Sequence, residues 1–260
     1  MKLNDREHPS TRAPVPRGAD AAREALRQRV QRTPLQRRVA ALINRLDYGV
    51  VRTVDELHAV RRHRHREYVG SGAIEPQAGG MLEDFFNDTA TTEIYTAWLE
   101  GELAGSIRLS VLRGHHREGL TIRCFPEIVE PMLEGGATLI DPHRLTTAST
   151  LSRSEPVLIF GVLRLATLAA RHYGAEHCLA PIRPHHASFY RRFLHATRLS
   201  EARLFPGTNV AMELYDVHVP SARRAAGGEN PFLLEHDGEC EALFPSLAEL
   251  HGELEPREVG

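Results

Sequence analysis

The stretch Pro156–Leu194, PVLIFGVLRLATLAARHYGAEHCLAPIRPHHASFYRRFL, decides the fold of this chain. Val157–Ala170 is apolar almost all the way round, interrupted only by Gly161, Arg164 and Thr167. A helix without a wide polar face is buried on two sides rather than laid on a surface. Gly174 stands where a helix C-terminus is expected, His177–Ile182 reads as a short interior strand, and Pro184 opens a second helix. A helix feeding a buried strand that feeds a helix is α/β architecture.

Upstream, Ala137–Pro142 (ATLIDP) reads as another strand, followed by His143, Arg144 and a Ser/Thr-rich loop to Ser154. Cys124–Gly135 reads as a short helix or loop. Gly105–Leu112 alternates cleanly, with Ile107, Leu109 and Val111 on one face and Ser106, Arg108 and Ser110 on the other. Arg108 therefore faces a polar side, which is either solvent or a site. Gly101 marks a hairpin turn within Trp98–Leu103, and Leu46–Val51 reads as the first strand. Thr53 and Glu56 form a capping box for a helix running to about Val69. Leu57, Val60, Arg64 and Tyr68 share one stripe of that helix, so Arg64 sits in its apolar face. A buried guanidinium left unpaired costs several kcal/mol. Arg64 thus either predicts a buried carboxylate later in the chain or snorkels to the rim. Downstream, Arg198–Phe205, a turn at Pro206–Gly207 and Val210–Val219 read as a final hairpin.

The two ends differ in charge. Residues 1–46 carry eleven Lys or Arg against four Asp or Glu, while the chain after Pro220 is acidic. Residues 1–19 lack apolar periodicity, and Ala21–Asn44 reads as a helix with a break near Pro34 and an arginine-rich outer face. This predicts a basic helical extension over residues 1–45, a main domain over 46–219 and an acidic, poorly ordered tail over 220–260. The basic head is either a solvated helix face or a surface for an anionic partner; nucleic acid, a membrane surface and an acidic carrier protein all satisfy the charge. Apolar content of 42% with 25% charged residues is that of an ordinary globular protein. No apolar run is long enough to span a bilayer, and Cys124, Cys178 and Cys240 lack CxxC spacing, so a reduced cytoplasmic protein is expected. The histidine pairs His63-x-His65, His115–His116 and His185–His186 cannot put two ligands on one helix face, and no metal site is expected.

Residues Asn87–Thr96, NDTATTEIYT, are what the oligonucleotide AATGATACGGCGACCACCGAGATCTAC, extended by the start of a threonine codon, encodes; it looks like a common sequencing-library adapter. The segment reads as an assembly artefact in place of a genuine loop and strand, and no function is assigned to it.

The ordered set Arg64-x-x-x-Tyr68, Asp84, Gly105-Ser-Ile-Arg108-Leu and Asp141-x-x-Arg144, ending in the helix–strand–FYRR unit, resembles the FeeM-type N-acyl amino acid synthases. More distantly it resembles the acyl-homoserine-lactone synthases. The resemblance covers about residues 46–219. It implies a GNAT-like α/β fold, a mixed central sheet flanked by helices, and a fatty acyl group moved from acyl-carrier protein to the amine of an amino acid. Arg64, Asp84, Arg108, Asp141 and Arg144 match a charged network beside the acyl site of the lactone synthases, with Tyr68 for Phe and Asp141 for Glu. In regular strand geometry Asp141 and Arg144 face opposite sides, so their joint role rests on the resemblance, aided by a distortion at Pro142. Tyr190 matches a general-acid Tyr of many GNAT proteins, or else packs beside Phe189 and Phe193.

The chemistry suits these residues. N-acylation brings a neutral amine to a thioester carbonyl and needs no protein nucleophile, in keeping with the lack of a G-x-S-x-G elbow. Asp84 or Asp141 could bind the ammonium or relay its proton, and Arg108 or Arg144 could hold a carboxylate. The segment TASTLSRSEP lacks the glycines of a CoA pyrophosphate loop, which favours acyl-carrier protein over acyl-CoA as donor, with no bound cofactor. Acyl-carrier protein and a small amino acid are then the partners; nucleic acid is not expected, and a peripheral membrane contact stays open. The alternatives are an autoinducer synthase, a CoA-dependent acetyltransferase and a non-catalytic binder of anions.

Overall fold

The computed structural model describes residues 33–82, 92–225 and 238–250. Helix α1 (Pro34–Ile43) leads into strand β1 (Leu46–Val50), helix α2 (Val54–Gly70) and the hairpin of β2 (Thr92–Leu99) and β3 (Glu102–Leu112). Two short helices, α3 (Leu120–Cys124) and α4 (Pro126–Glu134), precede β4 (Leu139–Thr147), α5 (Ser149–Ser154) and α6 (Leu158–His172). Strand β5 (His177–Ile182) and a 3-10 turn at Pro184–His186 lead to α7 (Ala187–Leu194). The chain goes on through β6 (Thr197–Arg198), β7 (Arg203–Leu204), β8 (Ala211–His218) and α8 (Val219–Ala225), and resumes as α9 (Glu239–Leu243) and α10 (Leu247–Leu250). The strands order β1-β2-β3-β4-β5-β8-β6, with β7 on β8, and among the described residues only β4 and β5 run parallel. This is the mixed, GNAT-like sheet between helices that the resemblance implies.

The capping boxes at Thr33 with Gln36 and at Thr53 with Glu56 both form, the hydroxyls accepting the N3 backbone N–H. Helix α6 is buried on two sides for a visible reason: it lies on β2–β5, and α1 and α9 cover its back. Ile107, Leu109 and Val111 face it from β3 in one continuous core. The opposite face of the sheet carries a second apolar cluster that includes Leu112, Leu139, Leu179, Phe125 and Phe205, under α3, α4 and the β7–β8 loop.

Three expectations need correction. The stretch after Pro142 is not a loop, because β4 continues to Thr147 and α5 follows at once. Cys124–Gly135 is not one element; α3 ends at Cys124 and α4 begins at Pro126. The break expected near Pro34 is present: Thr33 is extended, and Pro34 starts a helix at N1, where its missing N–H costs nothing; residues 21–32 lie outside the described residues. The tail is not loosely attached where it is described. Cys240, Leu243, Phe244 and Leu250 belong to the main core, and Phe244 packs on Tyr95 with ring centroids 5.1 Å apart. Residues 92–96 of the adapter-like segment form the first half of β2.

Candidate active site

Strands β4 and β5 pair only at Leu139↔His177 and Ile140↔Cys178. Pro142, which has no N–H to offer a ladder, stands just beyond. From there the strands part, and a cavity of about 1090 Å³ opens between Pro142–Thr147 and Cys178–Arg183. Its walls are mainly apolar, with Ile159 and Leu163 of α6, Phe189 and Phe193 of α7, and Phe205 and Met212 from the β7–β8 side. Arg66, Arg153 and Arg183 are among its charged lining.

A bulge accompanies the parting. From Ser106 to Arg108 β3 advances two residues, while β4 covers three, from Thr146 back to His143. Leu145 packs on the main core, and Arg144 takes the left-handed conformation, φ 54°. The Arg144 guanidinium lies over Gly207 on the other side of the sheet, where a Cβ on that glycine would stand 2.8 Å from Nη2. The bulge therefore overturns the regular-strand expectation: Arg144 reaches the side that Asp141 also occupies, and it lines the cavity.

Asp141, His143 and Thr146 stand opposite Ser110, Arg108 and Ser106, and cross-strand partners share a face. This face is polar yet dry: Arg64, Arg108, Asp141 and His143 are all at most 4% exposed, so Arg108 faces neither solvent nor apolar core. Arg64 does not snorkel. Its Nε donates to Ser106 Oγ at 3.1 Å, and Ser106 Oγ lies 2.9 Å from Thr146 Oγ1. The Asp141 carboxylate accepts the Thr121 hydroxyl and the Thr121 N–H, the latter at 3.3 Å. A Cβ on Gly119 would fall 2.6 Å from Asp141 Oδ2, so only glycine lets α3 approach this closely. Burial pushes the Asp141 carboxyl up to about 6, against the pull of Thr121 and Arg108. His143 Nδ1 is 3.0 Å from the Asp141 carbonyl oxygen and 3.8 Å from Oδ2. A small cleft of about 10 Å³, the size of one water-sized sphere, is lined by Thr92, Arg108, Ser110, Gly119, Leu120, Arg123 and His143.

Of the sequence-predicted residues, Arg64, Arg108 and Asp141 come together on this polar face, while Arg144 and Tyr190 line the large cavity together with Tyr68. Tyr190 also packs edge-on against Phe189, and burial raises its phenol pKa. Asp84 lies outside the described residues. Arg164 of α6, the charged residue that interrupts the apolar run, forms a buried pair that the sequence reading missed: it donates through Nη1 and Nη2 to Glu239, with Nη2–Oε2 at 2.5 Å. His143 and Thr121 were also missed. His143 was legible in principle, two residues from Asp141 and hence on its face of a strand; Thr121 carries no such local signal. Among the described residues no group of three or more His, Cys, Asp or Glu side chains is arranged to hold a metal ion, and no helix is long and apolar enough to cross a membrane.

A mixed sheet whose central parallel strands splay around an apolar cavity is the GNAT fold, and the chain is an N-acyltransferase. The family profile described as N-acyl amino acid synthase FeeM matches residues 59–218, and the chain belongs to that family. Among solved structures, FeeM, an N-acyl amino acid synthase from uncultured soil microbes, is 17% identical with a TM-score of 0.57, covering 69% of this chain and 94% of that one. TofI, in a ternary complex with an inhibitor and MTA, is 16% identical with a TM-score of 0.51, covering 73% and 100%. BjaI, a CoA-dependent acyl-homoserine lactone synthase solved with MTA, is 16% identical with a TM-score of 0.50, covering 79% and 97%. No curated protein matches the chain. Family membership sets aside the reading of a non-catalytic binder.

Proposed function

We propose that this enzyme transfers a fatty acyl group from acyl-carrier protein to the amine of an amino acid. The observation that carries the reading is the junction at β4: an apolar cavity of about 1090 Å³ runs up to a buried, arginine-rich polar face. Its volume lies at the upper end of the range for small-molecule sites, as a long acyl chain with its carrier arm requires. Arg144, inside the cavity, holds the carboxylate of the amino acid through its fork of donors. Arg64 and Arg108 organise the hydroxyls and carboxylate behind it. Tyr190, kept protonated by burial, donates to the departing thiolate.

A carrier-protein donor is supported by the connection from β4 to α6. The stretch Thr147–Pro156 contains the helix α5 and no glycine, where a CoA pyrophosphate would need a bare, glycine-lined loop of N–H groups. The basic N-terminal segment complements an acidic carrier and acts chiefly on association rate. The deciding experiment is expression in a bacterial host followed by lipid extraction and mass analysis. N-acyl amino acids are the expected product; acyl-homoserine lactones, or no acylated amine, would overturn the proposal.

A further inference from the structure

We infer that His143 is the base that takes the proton from the attacking amine, and that Asp141 acts through it as a positioning residue. The inference rests on the acyl-transfer reading above. Asp141 is fully buried and lines neither the large cavity nor the small polar cleft, so its carboxylate meets no substrate. His143 alone among the described residues lines both.

The ring is oriented from behind. A carbonyl oxygen only accepts, so the 3.0 Å contact with the Asp141 carbonyl places the proton on Nδ1 and leaves the lone pair of the neutral ring on Nε2. The Asp141 carboxylate, 3.8 Å from Nδ1, stabilises the imidazolium once Nε2 accepts a proton. The charged and titratable neighbours are Asp141 itself, Arg108 of β3 opposite, Arg123 from the cleft, Arg64 behind, and Arg66, Glu67, Tyr68 and Arg144 around the large cavity. In the reaction the amine nitrogen forms a bond to the thioester carbonyl carbon and gives its proton to Nε2. The C–S bond then breaks with its electron pair on sulfur, and the thiolate takes a proton from Tyr190. His143 returns its proton to water and Tyr190 is reprotonated, so an amide and a free thiol are the products.

The test is the pH dependence of kcat, with palmitoyl-carrier protein as donor and, as acceptor, whichever of the twenty amino acids is acylated fastest. Wild-type kcat falls on the acid side as the His143–Asp141 pair takes up a proton. His143→Gln is expected to lose about 100-fold in kcat and to lose that acid limb, in line with the usual contribution of a general base. Asp141→Asn, which keeps an acceptor for Thr121, is expected to shift the limb to lower pH. Added imidazole is expected to restore part of the activity of His143→Gly, which separates a lost base from a misfolded chain. A His143→Gln enzyme with the wild-type pH profile, or an acid limb unmoved in Asp141→Asn, would overturn the assignment. If instead the wild-type enzyme acylates no amino acid, the reading it rests on fails first.

Discussion

The two faces of β3 are equally dry and chemically opposite. On one, Ile107, Leu109 and Val111 press against α6; on the other, Ser106, Arg108 and Ser110 meet Arg64, Asp141 and His143 under α2 and α3. Both are at most 4% exposed. The apolar face gains free energy from burial, whereas the polar face costs free energy that its hydrogen bonds only offset. A fold keeps such a face where chemistry needs groups held ready out of water.

Arginine sharpens this comparison, because each side of the sheet buries arginine for a different purpose. Arg164→Ala should have the largest effect on stability. It leaves Glu239 without its bidentate partner and should cost about 3–5 kcal/mol in urea unfolding, while the double variant Arg164→Met with Glu239→Met should recover most of the loss. Retained stability in the single variant would show that α9 is not tied to α6 as described.

Buried titratable groups should also show themselves through pH. Burial drives His63, 3% exposed, down to about 4, so the unfolded chain takes up a proton near 6.5 that the native state refuses. Stability from this group is complete above pH 6.5 and is lost as the pH falls through 4, by about 3 kcal/mol. Asp141 works the other way: the native carboxyl, raised to about 6, holds a proton that the unfolded chain has released, and offsets part of the loss between pH 6 and 4. Chemical unfolding at pH 4.5 and pH 7 should therefore show a smaller difference in His63→Gln than in the wild type.

Arg108→Met should be the mirror image of the change at Arg164. Acyl transfer should fall by about 100-fold or more, with a smaller loss of stability than Arg164→Ala. The mildest variant is Gly207→Ala. Its φ of +70° disfavours a side chain by about 1 kcal/mol, and the new Cβ would displace the Arg144 guanidinium. On the proposed role of Arg144, the KM for an amino-acid acceptor should rise about tenfold with little change in kcat. A last check is on the gene: amplifying and resequencing the locus should replace the codons of residues 87–96, and finding the same codons in genomic DNA would show the segment to be native.

Much of this molecule was legible along the chain. The buried helix at Leu158–His172, the strand at His177–Ile182 and both capping boxes follow from spacing within one element. The alternation of β3 gave Ser106, Arg108 and Ser110 a common polar face, and the stripe on α2 placed Arg64 among buried residues. Pro142 signalled a distortion in β4, but no local pattern places the extra residue at Arg144; its position is set by how β4 must follow β3 on one side and leave β5 on the other. The Arg164–Glu239 pair was missed for a similar reason, since its partners lie 75 residues apart.

The sequence by itself determined which residues are apolar, which strands alternate and where helices start, because those depend on groups within a turn or two of one another. Only the tertiary structure decided that the polar face is sealed, that Arg144 crosses to it, and that His143 borders both cavities. Those facts depend on the separation of two strands and on helices arriving from distant parts of the chain, and burial of a charged group is a property of everything around it.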